Sequence, residues 1–113
     1  MEQLREKQLA WFKQLHDHPE LSYEEFETTK LVKEILTGAG IQLIDTGMAT
    51  GTVASIGHGS GHVVGLRCDM DALPIQEDTD LPYASKEPGK MHACGHDFHT
   101  STMLGTALLL KEM

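Results

Sequence analysis

The final stretch of the chain sets the tightest limit on what it can fold into. From about Phe98 onward, Met103, Leu104, Ala107, Leu108, Leu109 and Leu110 make a helix apolar around most of its circumference. Such a helix needs cover on more than one side. Two upstream segments read as the helices that could give it. Leu4, Gln8, Trp11, Phe12 and Leu15 fall at helical spacing with charges between them, and the pattern ends near His18-Pro19. Ser22 and Glu25 then have the spacing of a capping box. Phe26, Val32, Ile35, Leu36 and Ala39 follow, up to Gly38 and Gly40, where a second helix should stop.

Between these helices the pattern turns strand-like. Residues 41–47 alternate over a short span, and "GTVASIGHGSGHVVGLRCDMD" (51–71) reads as two strands around a glycine-rich turn at 57–61. A phosphate cradle is the sharper reading of those glycines. The loop leads into Val63-Val64, however, not into a helix whose N-terminal amides would hold an anion, so a hairpin is expected. In its second strand, Val64, Leu66, Cys68 and Met70 share one face and Val63, Gly65, Arg67 and Asp69 the other. Cys68 is then a buried small hydrophobe. Residues 72–90 hold Pro74, Pro82 and Pro88 without a sustained period, which predicts a long ordered loop. Helix, helix, strands, helix implies an α/β layer with helices packed on a sheet.

With 113 residues the chain is long enough for one small core. Seventeen acidic against nine basic side chains give a formal charge of −8, which argues against nucleic acid and anionic membranes as partners. The opening "MEQLREKQLAWFKQL" has neither a long apolar run nor a small-residue cleavage site, so a cytoplasmic location is expected. In a reducing compartment, two cysteines read as metal-binding, catalytic or buried, rather than as a disulfide.

Chemistry concentrates in "KMHACGHDFHT", residues 90–100, where His92, Cys94, His96 and His99 crowd beside Asp97. Thiolate and imidazole are the ligands zinc and its relatives take, and Gly95 lets the backbone turn tightly enough for Cys94 and His96 to converge. Asp97 is placed to cap the following helix and to orient a neighbouring imidazole. Two other readings stay open: a Cys94 thiolate activated by the flanking imidazoles, and a buried cysteine among solvated histidines. Upstream, "RCDMDALP" puts Asp69 and Asp71 at the carboxyl end of a strand, where ligands of open α/β sheets gather; the plainer reading is a pair of turn-forming aspartates. His16 and His18 read as solvated or capping groups at a helix end.

Taken together, "LHDHPELSYEE", "RCDMDALPIQEDTDLPYAS" and "GKMHACGHDFHTSTMLGTA" give a sequence that resembles the aminoacylase, hippurate hydrolase and auxin-conjugate hydrolase branch of the co-catalytic metallopeptidases, the peptidase M-twenty family. The resemblance runs through essentially the whole chain. It implies that residues 1–113 are the N-terminal part of a zinc-peptidase-like (phosphorylase/hydrolase-like) α/β catalytic domain, with helices on a mixed sheet, and that the lid or dimerisation domain and the rest of the catalytic domain lie outside it. By the same resemblance Cys94 and His96 correspond to metal ligands, with Cys94 bridging two divalent ions (zinc, manganese or cobalt). Asp69 and Asp71 look like supporting acids. Asp97 and His99 belong to the motif in orienting or substrate-side roles, and His92 is expected to be a supporting residue beside them. Where many relatives have alanine, this sequence has Cys68.

The reaction implied is metal-dependent hydrolysis of the amide bond of small N-acyl amino acids. In relatives the general-base glutamate and further histidine ligands lie downstream of the matching segment. The 113-residue chain alone is therefore expected to be inactive, holding one metal weakly or none. Alternatives are a stand-alone, weakly metal-binding remnant, a thiol enzyme built on Cys94, and, within the family, an N-acetyl-diaminopimelate deacetylase or small-peptide carboxypeptidase. The apolar terminal helix and an incomplete sheet also predict exposed apolar surface and self-association.

Overall fold

In the computed structural model, which describes residues 2–113, helix α1 (Glu2–Asp17) and helix α2 (Phe26–Gly38) precede a small hairpin of β1 (Gln42–Ile44) and β2 (Val53–Ser55). Helix α3 (His96–Glu112) closes the chain. Each helix covers the span its apolar period predicts, with α3 beginning two residues before Phe98.

Helix α2 starts by a different device from the expected capping box. Glu25 occupies the cap without a side-chain bond, and the carboxylate of Glu20 reaches forward to accept the N–H groups of Glu27 (3.1 Å) and Thr28 (2.6 Å). A carboxylate on the first turn satisfies orphan donors and sits at the positive end of the helix dipole, so Glu20 does the work assigned to Ser22 and Glu25. The other end stops as predicted. Gly40 takes φ +78°, and the Ile41 N–H returns to the Leu36 carbonyl at 3.0 Å, the six-to-one bond of a Schellman ending.

The core forms where the helices meet the hairpin. Val32, Leu36, Ile41 and Leu104 are buried together, with Trp11, Leu43, Ala54 and Met70 packed around them. Full burial contributes about 1.5–3 kcal/mol for each large aliphatic side chain. Where α1 lies against α3, Gly105 leaves room for Gln8, whose amide donates to the Ser101 carbonyl at 3.2 Å.

The sheet departs from expectation. It is two antiparallel strands, β1 paired with β2 through Gln42–Ser55, Leu43–Ala54 and Ile44–Val53, and not a mixed sheet. The glycine-rich stretch at 57–61 therefore does not join two paired strands. Residues 62–71 run without a ladder partner, leaving Val63 and Val64 at 96% and 81% exposure. A strand needs a neighbour's backbone groups as well as β-branched side chains, and the described residues place none opposite this segment. The alternation survives only at its end, where Cys68 and Met70 turn inward to half-burial while Asp69 faces out. Cys68 is thus half-buried rather than buried. Residues 72–90 form the expected long ordered loop. It is tied at one end by a parallel bridge from Ala72 to Leu21 and by reciprocal bonds between Leu73 and Met91 (2.9 and 3.0 Å), and at the other by the Lys86 N–H on the Asp17 carbonyl (2.8 Å).

Leu104 and Gly105 of α3 are buried beneath α1 and α2, whereas Leu109 and Leu110 remain about two-fifths exposed, at 36% and 42%. The helix is covered on more than one side over its first half only. Among the described residues no helix is long and apolar enough to cross a membrane.

Candidate metal centre

The turn that carries the cysteine–histidine cluster is fixed from both sides. Before it, Met91 is locked to Leu73; after it, α3 begins at His96, with the His99 N–H returning to the Gly95 carbonyl at 2.9 Å. Gly95 sits at the cap in the left-handed conformation (φ +87°). A Cβ there would be strained, so glycine is what allows the chain to swing from Cys94 into a helix within one residue.

His96 is the best-defined imidazole of the motif. Its Nδ1 lies 2.9 Å from both a carboxylate oxygen and the backbone carbonyl of Asp71. Both are acceptors, so Nδ1 carries the proton and Nε2 is left with its lone pair. This is the arrangement by which a carboxylate fixes the tautomer of a metal-binding histidine. One residue away across Gly95, the Cys94 thiol is exposed.

His92 stands apart. It is 5% exposed, and neither ring nitrogen has a hydrogen-bond partner among the described residues. Burial, aided by the charge of His16, holds this ring's pKa below the ordinary imidazole value, against the pull of Asp97 and Asp71. A neutral, buried imidazole with both nitrogens unpaired is a donor in want of a partner.

The remaining predicted residues divide. Asp71 is at the site, but Asp69 is not: its carboxylate pairs with Arg67 at 2.8 Å on the exposed side of the segment, and only its carbonyl faces inward, to the Thr100 hydroxyl at 3.3 Å. The strand alternation that sends Cys68 and Met70 inward sends Asp69 out. Asp97 is buried, and one of its carboxylate oxygens accepts the Phe98 N–H at 2.9 Å, a first-turn contact of α3. His99 is exposed, its ring centroid 6.1 Å from that of His96.

The imidazole that Asp97 orients is His16, 81 residues away, at 2.8 Å. His16 is buried, not solvated; its other nitrogen meets Glu77 at 3.0 Å. His18, by contrast, is the solvated group expected, loosely paired with Asp17 at 3.3 Å. Local reading at a helix end missed His16, yet a signal was present. His16 lies four residues beyond Phe12, on the apolar stripe, where a polar ring must find partners.

As a test of fit for a metal, the donors match in kind. Cys94 offers a thiol, His96 a free Nε2 behind a carboxylate-fixed Nδ1, and His92 two unpaired nitrogens. They fall short in number: among the described residues no group of three or more His, Cys, Asp or Glu side chains is disposed to hold an ion.

Residues 65–113, the stretch from the Asp69–Asp71 segment through α3, match the family model of peptidase family M20/M25/M40. Several of its relatives are hydrolases of N-acyl amino acids by name. It is 57% identical over 109 residues to an N-acetyl-L-cysteine deacetylase of Bacillus subtilis, covering 95% of this chain and 26% of that protein. Against an IAA-amino acid hydrolase of Arabidopsis thaliana it is 52% identical over 100 residues, or 88% and 23% of the two chains. An N-acyl-L-amino acid amidohydrolase of Geobacillus stearothermophilus matches at 47% over 106 residues, 93% of this chain and 29% of the relative. The crystal structure of a dinuclear metal-binding M20 peptidase of Bacillus subtilis superposes with a TM-score of 0.94 at 46% identity, over 98% of this chain and 32% of that one. The chain thus spans about a quarter to a third of the length of these relatives.

Proposed function

We propose that this chain is the N-terminal, ligand-bearing part of the catalytic domain of an N-acyl amino acid amidohydrolase, with Cys94 and His96 as metal ligands. The observation that carries the reading is the Asp71–His96 pair at 2.9 Å beside the exposed Cys94 thiol, two metal-type donors one residue apart on a turn that Gly95 makes possible. The relatives' names support the substrate class, small N-acyl amino acids.

In this reading Asp71 holds the His96 ring with Nε2 facing the ion, and the cap at Gly95 brings Cys94 alongside it. A divalent pair of zinc, manganese or cobalt, when bound, polarises the acyl carbonyl and lowers the pKa of a water. Residues beyond the described ones supply the general base and remaining ligands. Asp97 and His92 back the turn from the interior, and His99 lies on the open side, where substrate would approach. Asp69, facing away, supports its segment rather than the ion.

The experiment is hydrolysis of N-acetyl, N-benzoyl and indole-acetyl amino acids by the purified chain and by the full natural reading frame containing it, with each metal and with EDTA. Turnover by the longer protein that EDTA abolishes and Cys94→Ala removes is expected, with none from the chain alone. Turnover that survives EDTA but is lost on alkylation would replace this reading with a thiol enzyme. Metal-dependent turnover by the chain alone would show that it completes its own site, by pairing with a second copy.

A further inference from the structure

Nothing in the motif accounts for the buried charge cluster behind it. His16 leaves the end of α1 and points both ring nitrogens at carboxylates: Nδ1 at Asp97 (2.8 Å), Nε2 at Glu77 (3.0 and 3.1 Å to its two oxygens). All three side chains are at least nine-tenths buried. The three residues come from three separate segments: α1, the 72–90 loop and the first turn of α3.

The protonation state follows from the partners. A neutral imidazole has one lone pair, and here that lone pair would face a carboxylate oxygen at hydrogen-bond distance. Protonating one of the acids instead would waste donors already spent on them. Glu77 accepts the Ser85 N–H at 2.8 Å and the Thr79 hydroxyl, while Asp97 accepts the Phe98 N–H at the positive end of α3. Glu77 is thus built to stay ionised, and a ring that faces carboxylate oxygens with both of its nitrogens has two donors to give only as a cation. Burial alone would lower the pKa of His16, but the bonds and charges of Asp97 and Glu77 outweigh it and hold the pKa above the ordinary value. The other titratable groups facing the ring are Tyr83, edge-on at 5.4 Å with Lys13 behind it, and His92.

We propose that His16 is a buried imidazolium that pins the ligand-bearing turn at 91–97 and the 72–90 loop to α1, making it a positioning residue for the Cys94–His96 pair. The proposal rests on the metal reading given above. The mechanism is mechanical: Asp97 follows His96 directly, and the 72–90 loop starts at the residue after Asp71, the partner of His96. One cation therefore anchors both walls of the His96 setting at once. A neutral replacement, even one that carries two N–H groups, leaves the buried carboxylates without their counter-charge.

The test uses the full natural reading frame containing this chain. With histidine-selective ¹⁵N labelling, the His16 signals are those lost in His16→Gln, or, if that variant does not fold, those shifted in Glu77→Gln. As pH rises above the ordinary imidazole value, both ring nitrogens are expected to stay protonated where an unperturbed ring has become neutral. A neutral tautomer there overturns the proposal. Second, the loss of unfolding midpoint in His16→Gln, or in Glu77→Gln in its place, should be full below pH 6.5, the ordinary imidazole value, for as long as Glu77 stays ionised, and should shrink as pH rises through the raised pKa. A loss that is the same at every pH marks a packing role and overturns it. Third, zinc affinity by competition with a chromophoric chelator should fall about tenfold in either variant. Unchanged affinity with a charged ring overturns the positioning role alone. Absence of zinc binding by the unsubstituted protein overturns the metal reading, and the positioning role with it.

Discussion

The Gln8 side chain of α1 packs onto Gly105 of α3, and replacing that glycine tests the packing that brings His16 to Asp97. An alanine Cβ at 105 would fall 2.0 Å from the Gln8 amide nitrogen, 2.5 Å from Cδ and 3.1 Å from Cγ. The first two atoms are the far end of a flexible side chain and can swing away; Cγ has to give by a few tenths of an ångström. Swinging away forfeits the bond to the Ser101 carbonyl, costing about 0.5–1.5 kcal/mol, and crowding at Cγ adds about 1 kcal/mol. Alanine returns about 1 kcal/mol in helix propensity. Gly105→Ala should therefore destabilise the chain by about 1 kcal/mol, a fall of about 4–8 °C in Tm for a domain near this size. In a Gln8→Ala background both penalties vanish, and the same substitution should stabilise by about 1 kcal/mol, a coupling of about 2 kcal/mol across the helix pair. Urea denaturation of the four proteins measures this directly. If Gly105→Ala costs the same whatever residue stands at position 8, the contact is one of backbones and the account above is wrong.

Three further outcomes follow from the geometry. Glu20→Ala removes the acceptor for two first-turn N–H groups of α2 and should cost about 0.5–2 kcal/mol in urea denaturation, while Ser22→Ala should cost little. Burial alone would raise the pKa of Glu77, but bonds from Thr79, Ser85 and His16 hold it below its ordinary 4.5, so its contribution is present above that pH and is lost as pH falls through the lowered value; Glu77→Gln should flatten this acid limb in a pH series of unfolding midpoints. Burial raises the Cys68 pKa whereas Cys94 is exposed, so iodoacetamide at mildly alkaline pH should label Cys94 first by peptide mass mapping, and added zinc should protect Cys94 alone.

Legibility in the sequence followed the range of the forces involved. The helices were readable because their periodicity is local and survives in any context, as was the stop at Gly40, which depends on one residue's tolerance of positive φ. The sharp turn at Gly95 was readable because Cys94, Gly95 and His96 are adjacent and the turn depends on that one glycine. The hairpin expected around residues 57–61 failed because a strand is a property of two segments, and the Val63–Val64 run states a preference without naming a partner. Asp69 and Asp71 looked equivalent as a pair, although the period of two that separates Cys68 from Asp69 already put successive residues on opposite sides; what it could not tell was that Asp71 turns back to His96. His16 was misread for a related cause. Its partners lie 61 and 81 residues downstream, and no local window contains both.

Those separations carry a consequence for how the molecule is made. Synthesis proceeds from the N-terminus at about 5–20 residues per second, so His16 leaves the ribosome about 4–16 s before Asp97, 81 residues later. Helix–coil exchange takes about a microsecond, so α1 forms and melts many times in that interval, before α3, against which it packs, has emerged. During synthesis the cluster forms only once α1, the 72–90 loop and the start of α3 have all emerged. A chain halted before residue 97 would present Trp11, Phe12 and Leu15 to whatever chaperone or protease surveys nascent polypeptides. In that sense residue 97 marks the earliest point in synthesis at which the His16 contact can form.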